Sequence, residues 1–210
     1  MTAMQQLLDF ADAVRGDIAR LERSVERRSA VLDVLVRRSD RRSDMQRLRV
    51  RAEGVLEFSL SFPQEIDSIR LVQRHPLLWS HQQAELELYF TSAIADPHGT
   101  IGRLYAQHEA LASGWIPFGA FINNAVPLPK LLASEHGLLA RGPQTPIAAY
   151  QDVLEKSGAR CSVLKQEGRL GVSDEDGPKL LILGRSYIIA TEFDAEQVHG
   201  VDPSPAAGTP

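Results

Sequence analysis

The feature that most constrains this chain is a run of apolar residues at alternating steps of three and four. It comprises Met4, Leu7, Ala11, Val14, Ile18, Leu21, Val25, Arg28, Leu32 and Leu35, and Arg28 alone is polar. A 3.5-residue period keeps one stripe of a helix turned towards a partner helix, which is the condition for a coiled coil. The spacing predicts a long N-terminal helix with Leu7, Val14, Ile18, Leu21, Val25, Leu32 and Leu35 as a partner interface.

The flanking positions argue against a parallel homodimer. Asp17 would face Glu22 of an identical partner, and like charges at such positions select against self-pairing. Leu8, Phe10, Val31 and Val36 widen the apolar stripe beyond what two strands need, which suits a helix with two neighbours. The expected partners are other protein subunits meeting helix 4–35, as a hetero-oligomer rather than a homodimer.

Behind the seam lies a basic run: Arg37, Arg38, Arg41, Arg42, Arg47, Arg49 and Arg51, relieved by Asp40 and Asp44. On a helix, Arg37/Arg41 and Arg38/Arg42 are i,i+4 neighbours, so four guanidinium groups would gather in one patch. Such a patch can contact phosphates of a nucleic acid. It lacks the interleaved aromatics that stack on single strands, and Asp40 and Asp44 are within reach as intrahelical ion-pair partners.

Further along, Met45, Leu48, Ala52, Val55 and Leu56 extend the helical period. Ser61-Phe-Pro63-Gln-Glu65 has the pattern of a helix start, and His75-Pro76 that of a stop. Helices are expected over 77–95, over 100–113 with Gly114 closing it, and over 128–139. Trp115 to Pro129 is apolar and aromatic but broken by three prolines, Gly119 and Asn123-Asn124. A segment this apolar must be covered by the fold or cover something itself, so it is read as a packed crossover loop or the lining of a partner groove.

From Thr145 the pattern changes. A helix to about Ser157 is followed by short β-type runs at Cys161–Leu164, Arg169–Val172, Lys179–Leu183 and Tyr187–Thr191, separated by turn residues. These form an expected antiparallel meander. The predicted fold class is thus α+β and predominantly α: a coiled-coil-like helix over 1–56, a helical domain over 57–142, and a small C-terminal β module with one or two helices over 143–198. A disordered tail is expected over 199–210.

The chemistry points away from catalysis. Gly168-Arg-Leu-Gly171 is too short for a dinucleotide loop. His75 and His81 are six apart, which misses the i,i+4 spacing for two ligands on one helical face. Cys161, the single cysteine, excludes an intramolecular disulfide and has no activating neighbour beyond Arg160. No catalytic residue, metal site or cofactor is expected. With no apolar run near the ~20 residues of a membrane span, an intracellular, soluble protein is expected, acting as a non-enzymatic structural or adaptor subunit. The runner-up is a nucleic-acid-binding protein using the arginines of 37–51, and an enzyme whose site leaves no trace in sequence stands third.

Overall fold

In a computed structural model, residues 14–24, 28–38, 45–60, 65–66, 68–165 and 177–198 are described. They form two compact units. The first comprises Met1–Val72 with Lys179–Pro210, and the second is the intervening Gln73–Pro178.

The first unit overturns the expected long helix. β1 (Val14–Ser24) and β2 (Ser29–Arg38) form an antiparallel hairpin, and β3 (Met45–Glu53) pairs with β2 on its other side. No coiled coil or helical bundle exists among the described residues, and strands in antiparallel sheets dominate them. The reason is visible in β3, where Arg47-Leu48-Arg49-Val50-Arg51-Ala52 alternates with period two. A strand places such residues on opposite faces, whereas a helix would scatter the three arginines around its girth. In β2, Ala30, Leu32 and Val34 are buried while Val31 and Leu35 are half-buried. The apolar run that supports a heptad also supports a strand, and the strand buries Val34 and Val50, which the seam ignores.

β12 (Glu192–Val198) and β5 (Glu65–Ile66) complete this sheet in the order β12-β3-β2-β1-β5. A second sheet has the order β4-β11-β10-β6, from β4 (Glu57–Ser59), β6 (Ile69–Val72), β10 (Lys179–Leu183) and β11 (Ser186–Ala190). Leu32, Val34, Leu48, Val50 and Ala195 of the first sheet share a core with Ile69, Leu181, Leu183, Ile188 and Ala190 of the second. Two sheets burying one apolar face each against the other make a β-sandwich. β10 and β11 are strands, but they do not continue a meander from Cys161, because their other neighbours are β6 and β4. Arg169–Val172 lies outside the described residues, as does the expected tail over 199–210.

The second unit enters after β6 and leaves before β10, two strands that hydrogen-bond each other. At its base, buried Gln82 donates from Nε2 to the carbonyls of Gln73 (2.9 Å) and Pro178 (3.1 Å), tying the two ends of the insert together. Its three-stranded sheet has the order β8-β7-β9, from β7 (Glu85–Phe90), β8 (Gly137–Pro143) and β9 (Cys161–Lys165). The helix expected over 77–95 is instead a 3-10 turn (Pro76–Leu78), a single turn α1 (Trp79–Gln82), and β7. Glu85-Leu-Glu-Leu-Tyr-Phe90 alternates, which puts Leu88 and Phe90 in the core and Glu85, Glu87 and Tyr89 on the other face.

Three further helices belong to this unit. α2 (Pro97–Ala112) starts at Asp96, whose carboxylate accepts from the Gly99 N–H at 2.9 Å, and it ends at Ser113 and Gly114, both left-handed with φ of 50° and 75°. The helix expected over 128–139 shrinks to α3 (Leu128–Leu132) before the chain becomes β8. α4 (Gln144–Lys156) is followed by Gly158 at φ 85°. Its first turn takes a cap from a distant residue: the Gln83 carboxamide accepts from the Thr145 N–H and donates to its Oγ1, both at 2.8 Å. That satisfies one of the helix's orphan donors. Gln83→Ala is expected to cost about 1 kcal/mol, as for loss of a local cap, read as a lower melting temperature. An unchanged melting temperature would mean that water replaces this cap at no cost.

Candidate binding groove

A concavity lies within the second unit. Gly142 and Pro143 end β8, Glu85 starts β7, and Ser80 sits on α1. Across from them runs the segment Ala120–Asn123. The groove encloses about 480 Å³ and opens to solvent, within the range of small-ligand and peptide-side-chain sites.

The segment is held against the outer edge of β8 by backbone bonds. Asn123 N–H donates to Leu139 O at 2.8 Å and Arg141 N–H to Phe121 O at 2.9 Å, with a bridge between Ile122 and Ala140. Asn123 adds a side-chain bond to Leu138 O at 2.9 Å. Phe121 packs closely on Gly142 of β8: a Cβ on Gly142 would come within 2.6 Å of its ring. A side chain at 142 would push this ring aside, so the approach favours glycine there, and Phe121 forms a wall of the groove.

The polar side is equally fixed. Glu87 and Arg141 are directly opposite in the β7–β8 register and form a salt bridge; Tyr89 Oη donates to the second Glu87 oxygen at 2.8 Å. That bond, more than burial or charge, holds the Tyr89 phenol above its usual pKa. Arg141 spends one N–H on Glu87, remains 52% exposed and lines the groove. A guanidinium carries five N–H donors, so the site offers a hydrogen-bonding cation beside apolar walls of Phe121, Ile122 and Leu138.

Behind the groove, His108 of α2 is 1% exposed. Its Nε2 lies 2.7 Å from Ile116 O and its Nδ1 2.6 Å from Tyr150 Oη. A carbonyl oxygen only accepts, so Nε2 carries the hydrogen, and Nδ1 accepts from the Tyr150 hydroxyl. Burial pushes the Tyr150 phenol far above its usual pKa, so it stays a donor. Cys161 lies at the rim of the same core, and burial, with Glu155 adding to it, raises its thiol to about 11. That thiol is a poor nucleophile.

The residues expected to form a helical interface are dispersed. Leu7 and Val25 lie outside the described residues. Val14, Ile18 and Leu21 belong to β1, in register with Arg38, Val34 and Leu32 of β2. Leu32 is wholly buried in the sandwich core, and Leu35 is half-buried on the other side of the sheet. Arg37 and Arg38 are consecutive residues of β2, so no helical i,i+4 grouping forms there, and Arg41 and Arg42 lie outside the described residues. Arg47 and Arg49 bond Asp33, and Arg51 bonds Glu196 at 2.9 Å. These three arginines of the basic run therefore face carboxylates of their own sheet.

The sequence singled out the Trp115–Pro129 segment but not Glu85, Glu87, Leu138 or Arg141, which lie outside it and within expected helices or their breaks. The alternation of 85–90 was the available signal for Glu85 and Glu87. Among the described residues no group of three His, Cys, Asp or Glu side chains is placed to hold a metal ion, and no helix is long and apolar enough to cross a membrane. Comparison with known proteins finds no matching family model, no matching curated protein and no matching solved structure.

Proposed function

We propose that this chain is a non-enzymatic binding subunit whose second unit holds a short segment of a protein partner in the groove between Ala120–Asn123 and β8. One observation carries this reading: an open groove of about 480 Å³ with a prefixed aromatic wall and a half-exposed guanidinium beside it. Preformed walls reduce the entropy lost on association, and aromatic and arginine side chains are the usual anchors of protein interfaces. The best-fitting occupant presents an apolar side chain to Phe121 and a carbonyl or carboxylate to Arg141.

Selection of a displayed peptide library on the full chain tests this. Enriched peptides should share an apolar residue next to an acidic or C-terminal group. Phe121→Ala should weaken them about tenfold, the equivalent of about 1.4 kcal/mol. Gly142→Ala displaces the same ring without removing its area and should weaken them too. Peptides that bind wild type and both variants alike would sink the groove as the site.

A further inference from the structure

The charged side chains that line the groove, Arg141 and Glu85, differ in whether they are paired. Arg141 is bonded by Glu87, which stands opposite it in the β7–β8 register. Glu85 has no such neighbour: among the described residues no hydrogen bond or ion pair reaches its carboxylate. It is half-buried, starts β7 and stands opposite Pro143, the last residue of β8. Alternation along β7 puts Glu85 on the same face as Glu87. This end of the groove therefore gathers two carboxylates around one guanidinium, a surplus of one negative charge.

That surplus matters once something is seated there. An open groove leaves the Glu85 carboxylate hydrated. An occupant packed against Phe121 and Pro143 shuts water away from it, and an ion deprived of both water and a counter-charge is costly. A neutral or acidic group beside Glu85 is penalised, and a basic group is favoured. The sheet also sets a spacing. Glu85 and Glu87 are two residues apart on one strand, so the register positions of Glu85 and Arg141 lie about 7 Å apart along it, at about 3.4 Å per residue. Residues i and i+2 of an extended segment are separated by the same distance and point the same way.

We infer that Glu85 makes the groove selective by taking a basic side chain of the partner segment. The inference rests on the groove being the binding site. It gives that segment an extended, dipolar form. A lysine or arginine meets Glu85, and an acidic residue or the C-terminus meets Arg141 two positions away. The apolar residue between them turns towards Phe121.

Random peptides displayed and selected on the full chain supply the probe, and a synthetic peptide of the enriched sequence supplies the affinities. On wild type the enriched sequences should carry lysine or arginine two positions from the acidic or terminal residue. Glu85→Gln keeps the length and polarity of the side chain, so it should retain the apolar and acidic preferences and lose the basic one. It should bind the synthetic peptide about tenfold more weakly, and Glu85→Ala, the second variant, should match it. Replacing the peptide's basic residue with glutamine should weaken binding to wild type as much, and to Glu85→Gln hardly at all. Added salt should weaken the peptide more steeply on wild type than on Glu85→Gln. Sequences that need Phe121 but show no basic preference, or that bind Glu85→Gln as well as wild type, would overturn the role of Glu85 and leave the groove standing. Sequences indifferent to both Phe121→Ala and Glu85→Gln, or a selection that enriches nothing, would overturn the groove and this inference together.

Discussion

Truncating Leu32 to alanine is expected to destabilise the first unit by about 2–5 kcal/mol, the cost of a cavity in a packed core. Leu32 has no exposed surface and packs among Val34, Leu48, Val50 and the facing strands β10 and β11. Leu35→Ala should cost much less, because that side chain is half-buried on the opposite side of the same strand. The pair makes a sharp comparison. On a heptad helix both leucines would sit in one seam, and their truncations would cost similar amounts and lower the oligomeric state. In the sandwich the two effects separate, because Leu32 is in the core and Leu35 is on the opposite side of the sheet. Urea unfolding of the two variants reads the difference as a shift in midpoint. A Leu35→Ala loss equal to that of Leu32→Ala would refute the strand placement.

The second large effect is expected at Asp33. Its side chain is 2% exposed and is bonded by Arg47 and by Arg49, whose Nε lies 2.9 Å from Oδ1. Asp33 stands opposite Arg49 in the β2–β3 register, so the ion pair is also a cross-strand pair. Asp33→Ala removes the carboxylate that bonds both Arg47 and Arg49, of which Arg49 keeps Glu196 at 4.0 Å, and breaking a buried pair on one side costs about 3–5 kcal/mol. Here each arginine keeps a third of its surface in water, which brings the expected loss to about 2–3 kcal/mol by solvent screening. Asp33→Asn, which retains the shape and part of the hydrogen bonding, should lose less.

The same site predicts a pH dependence. Burial pushes the Asp33 carboxyl up, but the hydrogen bonds and charges of Arg49 and Arg47 more than offset that and hold it below its ordinary value. A carboxylate whose pKa is lowered on folding contributes stability above its unfolded value, near pH 4. That contribution is lost as pH falls through the folded value. Wild type should therefore lose more stability than Asp33→Ala on acidification below about pH 4. Equal slopes would show that the aspartate is not the titrating partner.

The sequence was most legible where structure is set by neighbours along the chain. α2 and α4 stand close to their expected positions. Left-handed Gly114 and Gly158 follow their ends, and prolines Pro97 and Pro146 fall in their first turns. Strands β10 and β11 fall on runs readable as strands, with Gly184 at the turn between them. In each case the deciding hydrogen bonds lie within one element or across one tight turn.

Elsewhere the chain carried two periods at once. From Ala30 to Val36 every residue but Asp33 is apolar, so steps of three and four and steps of two both find their marks. Helix bonds can be judged from such a window, but strand bonds cannot. Arg51 meets Glu196 145 residues away, and β6 finds β10 across the whole second unit. The groove shares that origin, since Phe121 becomes a wall only when β8 brings Gly142 beneath it, and Arg141 is positioned only by Glu87 of β7. By itself the sequence determined where the chain is amphipathic, where two of its helices and one hairpin end, and that 115–129 must be covered or covering. The tertiary structure alone decided that the described part of the N-terminal amphipathic stretch is strand: β1, β2 and β3 pair with one another, and β12 on the edge of β3 and the facing strands β10 and β11, which help bury its apolar face, come from the far end of the chain.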